Sequence, residues 1–170
     1  MELIKEIYEK DLGISSGDAG DISYKIRKAA RALLFRKGKI AVLHAVNIAV
    51  HKLPGGGVAG KELIKEGLTR EIKEETGFTI SDEKELGITI EYRNEFKQLQ
   101  ISYVYTGNAG VRGIPNFTGK EISEGFKLIW LTVEEAIEIM KNKDNPINYA
   151  GKFIHERDLA ILEYYLASSV

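Results

Sequence analysis

Apolar and polar positions divide the chain into segments of different period. Between Ala29 and Val50 two apolar runs, Ala32-Leu33-Leu34-Phe35 and Ile40-Ala41-Val42-Leu43, are split by Arg36-Lys37-Gly38-Lys39. Short apolar runs around a Lys-Gly turn predict a β-hairpin. Leu86 to Tyr92 (LGITIEY) and Leu99 to Thr106 (LQISYVYT) predict two further strands. In the second, Ile101, Tyr103 and Tyr105 alternate with Ser102, Val104 and Thr106, although Val104 blurs the pattern. These tyrosines read as core or sheet-face residues rather than as a base-stacking platform. Gly107 to Gly119, with four glycines and Pro115, predicts a loop. Phe126 to Leu131 (FKLIWL) predicts the last strand. Thr132, with Glu135 three residues later, has capping-box spacing and opens a helix over Val133 to Asn142. Asp144-Asn145-Pro146 then breaks it. His155 to Ala167 predicts a closing helix with Leu159, Leu162 and Leu166 inward. At the other end, Leu3, Ile4 and Ile7 predict a short strand or helix, followed by a flexible loop from Gly13 to Gly20.

The segment Lys61 to Thr76 breaks the amphipathic rule. An ideal helix advances about 100° per residue. With Ile64 at zero, Leu68 and Ile72 fall at roughly 40° and 80°, and Leu63 lies further round. Glu71, Glu74 and Glu75 fall at roughly 340°, 280° and 20°. Three carboxylates thus lie on or beside the stripe that faces the core, opposite Lys65, Thr69 and Lys73. Buried carboxylates are costly unless paired or bound to a metal. This face is expected to meet the core in its first turns and a cation in its last.

The flanks agree with that expectation. Gly55-Gly56-Gly57 gives a backbone that can approach a ligand closely, and a loop entering a helix offers free N–H groups to phosphate. Gly60 is the expected N-cap and Gly77 the left-handed residue that ends the helix, with Phe78 as its apolar partner. Arg70 stands four residues before Glu74, where the two can pair and the guanidinium can orient a carboxylate.

Together these residues resemble the Nudix box, G-x5-E-x7-R-E-U-x-E-E-x-G-U with U apolar. Gly56, Glu62, Arg70, Glu71, Ile72, Glu74, Glu75, Gly77 and Phe78 fill every fixed place. Average residue usage would produce such a match on the order of once in 10⁹ start positions. The resemblance, to the MutT-like branch of the Nudix hydrolases, implies an α/β/α sandwich. Its mixed sheet would carry a loop–helix–loop catalytic motif, as the order of strands and helices also suggests.

It further implies hydrolysis of a diphosphate bond in a nucleoside diphosphate derivative. Glu71 and Glu75 would be the primary metal ligands, Glu74 would join them, and a backbone carbonyl near Gly56 would contribute. Mg²⁺, with Mn²⁺ as a substitute, suits such oxygen donors. Glu62 would be a supporting carboxylate, although the helix macrodipole alone also favours an acid there. In some members the general base is a box glutamate, and in others it lies on a loop before the last strand. Here that loop carries Glu121 and Glu124, and Glu124 is similar in position to the loop glutamate of the oxidised-nucleotide branch. Gly55, Gly56 and Gly57, with Lys52 and His51 just before them, are the expected substrate contacts. His44 lies farther back and reads as a packed or solvated residue.

Two positions depart from common forms of the box. Ala59 removes an accessory carboxylate. Gly67, inside the helix, costs about 1 kcal/mol relative to Ala and would permit close packing on the sheet.

Markers outside the box do not single out a substrate. No proline follows between Phe78 and Ile114, and Tyr92 is as well explained by a strand. A nucleoside triphosphate is favoured, a class that includes oxidised ones such as 8-oxo-dGTP. The alternatives are ADP-ribose, a nucleotide sugar or a dinucleoside polyphosphate. A non-catalytic nucleotide-sensing domain would be expected to have lost box glutamates.

The chain's 170 residues suggest a single domain over 29–170, with 1–28 as an extension packed on it. The net charge of −1 gives no general affinity for nucleic acid or membrane. No cysteine is present, which excludes disulfides and thiol chemistry. No apolar run resembles a signal peptide or spans a bilayer, so a cytoplasmic protein is expected. A small-molecule nucleotide is the expected partner, and a homodimer is left open.

Overall fold

The computed structural model describes residues 1–15, 20–142 and 148–168. Eight strands among them form one mixed sheet. In chain order they are β1 (Leu3–Ile7), β2 (Lys25–Arg36), β3 (Lys39–Ala45), β4 (Val50–Lys52), β5 (Gly55–Gly57), β6 (Phe78–Arg93), β7 (Gln98–Arg112) and β8 (Phe126–Leu131). The helices are α1 (Ile64–Thr76), α2 (Gly119–Ser123), α3 (Val133–Lys141) and α4 (Tyr149–Ser168). The spatial order is β1-β6-β7-β2-β3-β4, with β5 on β2 and β8 on β3. β1 runs parallel to β6 as an edge strand, and β7 runs parallel to β2.

The expected hairpin is β2–β3. Lys37 and Gly38 turn it with φ of 50° and 74°, the left-handed pair that matches strand twist in a two-residue hairpin. Alternation along β2 then sorts the core. Ala30, Ala32 and Leu34 face Leu68 and Ile72 of α1. Leu33 faces the other way, with Ile40, Val42 and Leu53, toward α3 and α4. Small residues under α1 let that helix lie close to the sheet. The α/β/α layering is therefore as expected.

Several boundaries differ from the sequence reading. The helix α1 starts at Ile64, not Lys61. Gly60 takes φ +39° within a turn closed by the Glu62 N–H on the Ala59 carbonyl, so it is not the N-cap. Leu63 stands there instead, its N–H donating to Glu66 Oε2 at 2.9 Å. At the other end Gly77 does take the left-handed form, with φ 76°. Gly67 is not packed on the sheet. A Cβ there would meet Glu62 Oε2 and Val58 Cγ2, both at 3.0 Å, so the glycine makes room for the loop that precedes the helix.

The segment expected to be a loop from Gly107 is strand as far as Arg112. It pairs with residues 78–81, which the sequence reading had not assigned to a strand. Glycine suits this crossing, since a Cβ at Gly107 would lie 2.6 Å from Ile80 Cγ1. The last helix begins at Tyr149, earlier than His155. Asn148 Oδ1 accepts the Gly151 N–H at 2.8 Å and caps it. The expected break at Asp144-Asn145-Pro146 lies outside the described residues, as does part of the Gly13 to Gly20 loop. No helix among the described residues is long and apolar enough to cross a membrane.

Candidate active site

The three-glycine strand β5 lies antiparallel on residues 29–31 of β2, and α1 follows it. Gly55 has φ +129°, and a Cβ there would collide with the Ala30 carbonyl. Gly56 is pressed from the other side, because its Cβ would occupy the position of the Glu71 carboxylate. The loop is thus glycine for close approach to a strand and to an acid.

Arg70 gathers the acids of the box. Its Nε donates to Glu62 Oε1 at 2.9 Å and its Nη2 to Glu62 Oε2 at 3.0 Å, a bidentate fork. Its Nη1 donates to Glu71 Oε1 at 2.7 Å and to Glu74 Oε2 at 3.1 Å. Its Nη2 also reaches the Gly57 carbonyl at 3.0 Å. One guanidinium therefore fixes three carboxylates and the end of the glycine strand. The hydrogen bonds from Arg70, then that from the Ala59 N–H, hold the Glu62 carboxyl down to about 2. The bonds to Glu62 and then Glu71 raise Arg70 further above its ordinary value.

Glu75 is set apart from the other acids. It is buried, and both its oxygens are taken: Oε1 by Lys52 Nζ at 2.6 Å and Oε2 by the Gly55 N–H at 2.7 Å. Burial pushes its pKa up, against the pull of Lys52 and of the Gly55 N–H. Lys52 also reaches the Gly55 carbonyl at 3.3 Å and lies 5.2 Å from the centre of the Phe126 ring.

His51 is not drawn into this group. Neighbouring residues of a strand point to opposite faces. Its ring stacks on His44 at 3.9 Å, and its backbone N–H donates to His155 Nε2 at 3.0 Å. Burial, then the neighbouring His44 and His155, pull its pKa down to about 4. Glu124 ends α2, its carbonyl accepting the Asn47 N–H at 3.0 Å and its carboxylate 3.7 Å from Lys120. It stands two residues before Phe126, whose ring covers Lys52. The segment after β7 closes the far end of α1, with the Asn116 N–H on the Glu74 carbonyl at 2.7 Å.

In the structure Glu71, Glu74 and Glu75, the acids expected to hold one or two cations, are engaged by basic side chains. Among the described residues no three acids or histidines form a ready metal cage. The physical reason is that Arg70 stands among Glu62, Glu71 and Glu74, while Lys52 takes Glu75. The residues nevertheless fit a hard divalent cation in kind. All donors are oxygens, and three carboxylates around one guanidinium leave a net negative charge beside the Glu71–Gly56 contact.

The sequence reading missed a second layer. Arg31, in the middle of the apolar run of β2, donates to the Gly55 carbonyl. Asp158 of α4 accepts the Leu53 N–H through Oδ2 at 2.7 Å. Both are buried, and together they hold the chain on either side of Pro54. A lone arginine between two alanines, Ala30 and Ala32, in a buried strand is the signal that could have pointed to this layer.

A family model described as NUDIX domain matches residues 25–151. No curated protein matches the chain significantly by sequence. Among solved structures, the MutT NUDIX hydrolase from Burkholderia pseudomallei is 19% identical with a TM-score of 0.56, over 78% of this chain and 97% of that one. The NUDIX hydrolase from Nitrosomonas europaea is 17% identical with a TM-score of 0.64, over 85% and 90%. The E. coli ORF135 protein is 19% identical with a TM-score of 0.59, over 87% and 94%. At these identities the likeness is one of fold. The family match over most of the chain and a box with every fixed place filled make this protein a member of the NUDIX domain family, with the intact motif of a Nudix hydrolase.

Proposed function

We propose that the protein is a pyrophosphohydrolase that cleaves a nucleoside triphosphate to the monophosphate and diphosphate. A modified nucleotide such as 8-oxo-dGTP falls within this class. The carrying observation is the Arg70 fork, which holds Glu62, Glu71, Glu74 and the Gly57 carbonyl in one arrangement beside the glycine strand. So many acids would repel a polyphosphate on their own. Mg²⁺, or Mn²⁺ in its place, would be held by Glu71, Glu74 and Glu75 and would supply charge neutralisation and a more acidic bound water.

The chain's own residues account for the rest. Glycines 55 to 57 let the polyphosphate lie close to the backbone. Arg70 keeps Glu71 and Glu74 in fixed rotamers, so little reorganisation accompanies reaction. Lys52 balances the buried Glu75 carboxylate and brings a positive charge to the loop. Water adds to phosphorus, its proton passes to a carboxylate, and the bond to the bridging oxygen breaks. Glu124 is the proposed proton acceptor, because α2 and β8 bring its segment to the Phe126–Lys52 contact.

A panel of nucleoside triphosphates, 8-oxo-dGTP, ADP-ribose, nucleotide sugars and dinucleoside polyphosphates tests this reading, with Mg²⁺ and with excess chelator. The expected result is monophosphate and diphosphate from a triphosphate, abolished by chelator. Full turnover in chelator sinks the metal-dependent reading, and turnover of ADP-ribose alone replaces the substrate class. No turnover of any compound, with nucleotide binding retained, makes the domain a sensor.

Glu124→Gln is expected to lower kcat by about 10²- to 10⁴-fold, the usual share of base catalysis. It should remove the acidic limb of the pH–rate profile and change the Mg²⁺ requirement little. An unchanged profile returns the base to Glu71 or to the chemistry a bound metal would supply, and a large rise in the Mg²⁺ requirement makes Glu124 a ligand.

A further inference from the structure

On the α4 face of the sheet, behind the glycine strand, four guanidinium groups gather around two acids. Arg27 donates to Gln100 Oε1, and Gln100 donates onward to Glu91 Oε2 at 2.5 Å. Arg93 donates to Glu91 Oε1 at 2.6 Å. Arg157 Nη1 stands 3.6 Å from Glu91 Oε2, and its Nε donates to Asp158 Oδ1 at 2.6 Å. Arg31 completes the group on the Gly55 carbonyl. The nearby Glu75 is already paired with Lys52. Arg27, Arg31, Arg93 and Arg157 thus meet Glu91 and Asp158, a surplus of about two positive charges, and unpaired interior charge is strongly unfavourable.

The surplus coincides with unmet hydrogen bonds. Arg157 is fully buried and Arg31 is 5% exposed. Nη2 of Arg157 and Nε of Arg31 nevertheless make no hydrogen bond among the described residues, and Nη1 of Arg157 has only the 3.6 Å ion pair with Glu91. A guanidinium carries five N–H donors, and native interiors rarely leave several idle. The cluster reaches the surface at the half-buried Arg27, which lies against the loop: a Cβ at Gly57 would be 2.9 Å from Arg27 Nη2. Burial, then Arg93 and Arg157, pull Arg27 below its ordinary value, and burial, then Arg157, bring Arg31 down to about 9. Against the effect of burial, Asp158 and Glu91 instead raise Arg157 above its ordinary value, so the two acids serve Arg157 first and Arg27 and Arg31 are the cations left short of an anion.

We propose that this cluster, from Arg27 inward to Arg31 and Arg157, is a second anion subsite that binds a phosphate monoester on the non-scissile part of the substrate. The two charges of a phosphate monoester match the surplus, and its oxygens match the idle donors. The proposal rests on the reading of the protein as a nucleoside triphosphate pyrophosphohydrolase. It adds that the preferred substrate carries a further phosphate outside the scissile chain, reached along the back of the glycine strand.

The first arm of the test is binding of inorganic phosphate in chelator, measured by calorimetry for the wild type, Arg27→Gln, Arg31→Lys and Glu71→Gln. Potassium chloride at equal ionic strength is the control. The subsite predicts saturable phosphate binding retained in Glu71→Gln and weakened at least roughly tenfold in Arg27→Gln or Arg31→Lys. Arg27 is only half-buried, so its variant is expected to fold. The second arm compares kcat/KM for ATP with that for adenosine carrying a 2′- or 3′-phosphate and a 5′-triphosphate. The wild type should prefer the phosphorylated compound by about tenfold or more, and the ratio should fall toward one in Arg27→Gln. Absence of saturable phosphate binding overturns the proposal, as does affinity indifferent to both arginine variants or a wild-type ratio of one or less. If no triphosphate is hydrolysed, the functional reading fails, and the phosphate arm alone decides the subsite.

Discussion

Glu71→Gln is expected to lower kcat by about 10²- to 10³-fold, as removal of one preorganised electrostatic group typically does. The fold should survive. Glu71 is half-buried, and its carboxylate accepts from Nη1 of Arg70, which it shares with Glu74. A glutamine carbonyl can accept that same hydrogen bond. The substitution removes one negative charge from three carboxylates that crowd a single guanidinium, so it relieves repulsion as well as losing attraction. With that bond kept, stability should change by about 1 kcal/mol or less, below the losses that follow when a buried network is broken. Thermal melts in chelator and kcat against Mg²⁺ concentration check both halves. If the variant is unfolded in metal-free buffer, Glu71 is structural; if it turns over at the wild-type rate, it is not part of the reacting site.

The helical wheel made part of this legible. It placed Leu68 and Ile72 inward, Lys65, Thr69 and Lys73 outward, and carboxylates beside the apolar stripe, and the burial agrees at each of these residues. What a wheel cannot carry is the partner that reaches in from another element. The pairing of Arg70 with Glu74 follows from helical spacing. Its fork on Glu62 depends on how the chain enters the helix, and the left-handed Gly60 sets that entry. Likewise Lys52 precedes the loop in sequence, but only the approach of β4 to the end of α1 brings it onto Glu75.

The same limit explains the fold boundaries. The turn at Lys37-Gly38 is local chemistry and could be read directly. β6 and β7 are longer than predicted because each supplies the other with partners through 78–81 and 108–112, against the local preference of Ser, Asp and Gly. The buried layer of Arg31, Glu91, Arg157 and Asp158 comes from three strands or helices far apart in sequence. No periodicity links them. Each looks alone like a misplaced charge, and only the α4 face of the sheet joins them.

Glu75→Gln should behave in the opposite way to Glu71→Gln, losing stability as well as turnover. Glu75 is 1% exposed, and both its oxygens accept, from Lys52 Nζ and from the Gly55 N–H. Glutamine offers one oxygen and one NH₂ group. Whichever way it turns, the NH₂ group faces a donor, either the ammonium or the backbone N–H. The Lys52 charge, largely buried, then has no counter-ion on the helix. Removing one partner of a buried pair costs about 3 kcal/mol or more. For a domain of this size that is a fall in Tm of roughly 6 to 12 °C. The Gly55 N–H loses its carboxylate too, so the glycine strand loosens where the substrate binds. Adding Lys52→Met to Glu75→Gln should recover part of the stability, because it removes the stranded charge, but none of the turnover. The measurement is a set of thermal melts in chelator for wild type, both single variants and the double. A Tm for Glu75→Gln within about 2 °C of wild type, about 0.5 to 1 kcal/mol at this size, would show that the Lys52–Glu75 pair does not hold the loop.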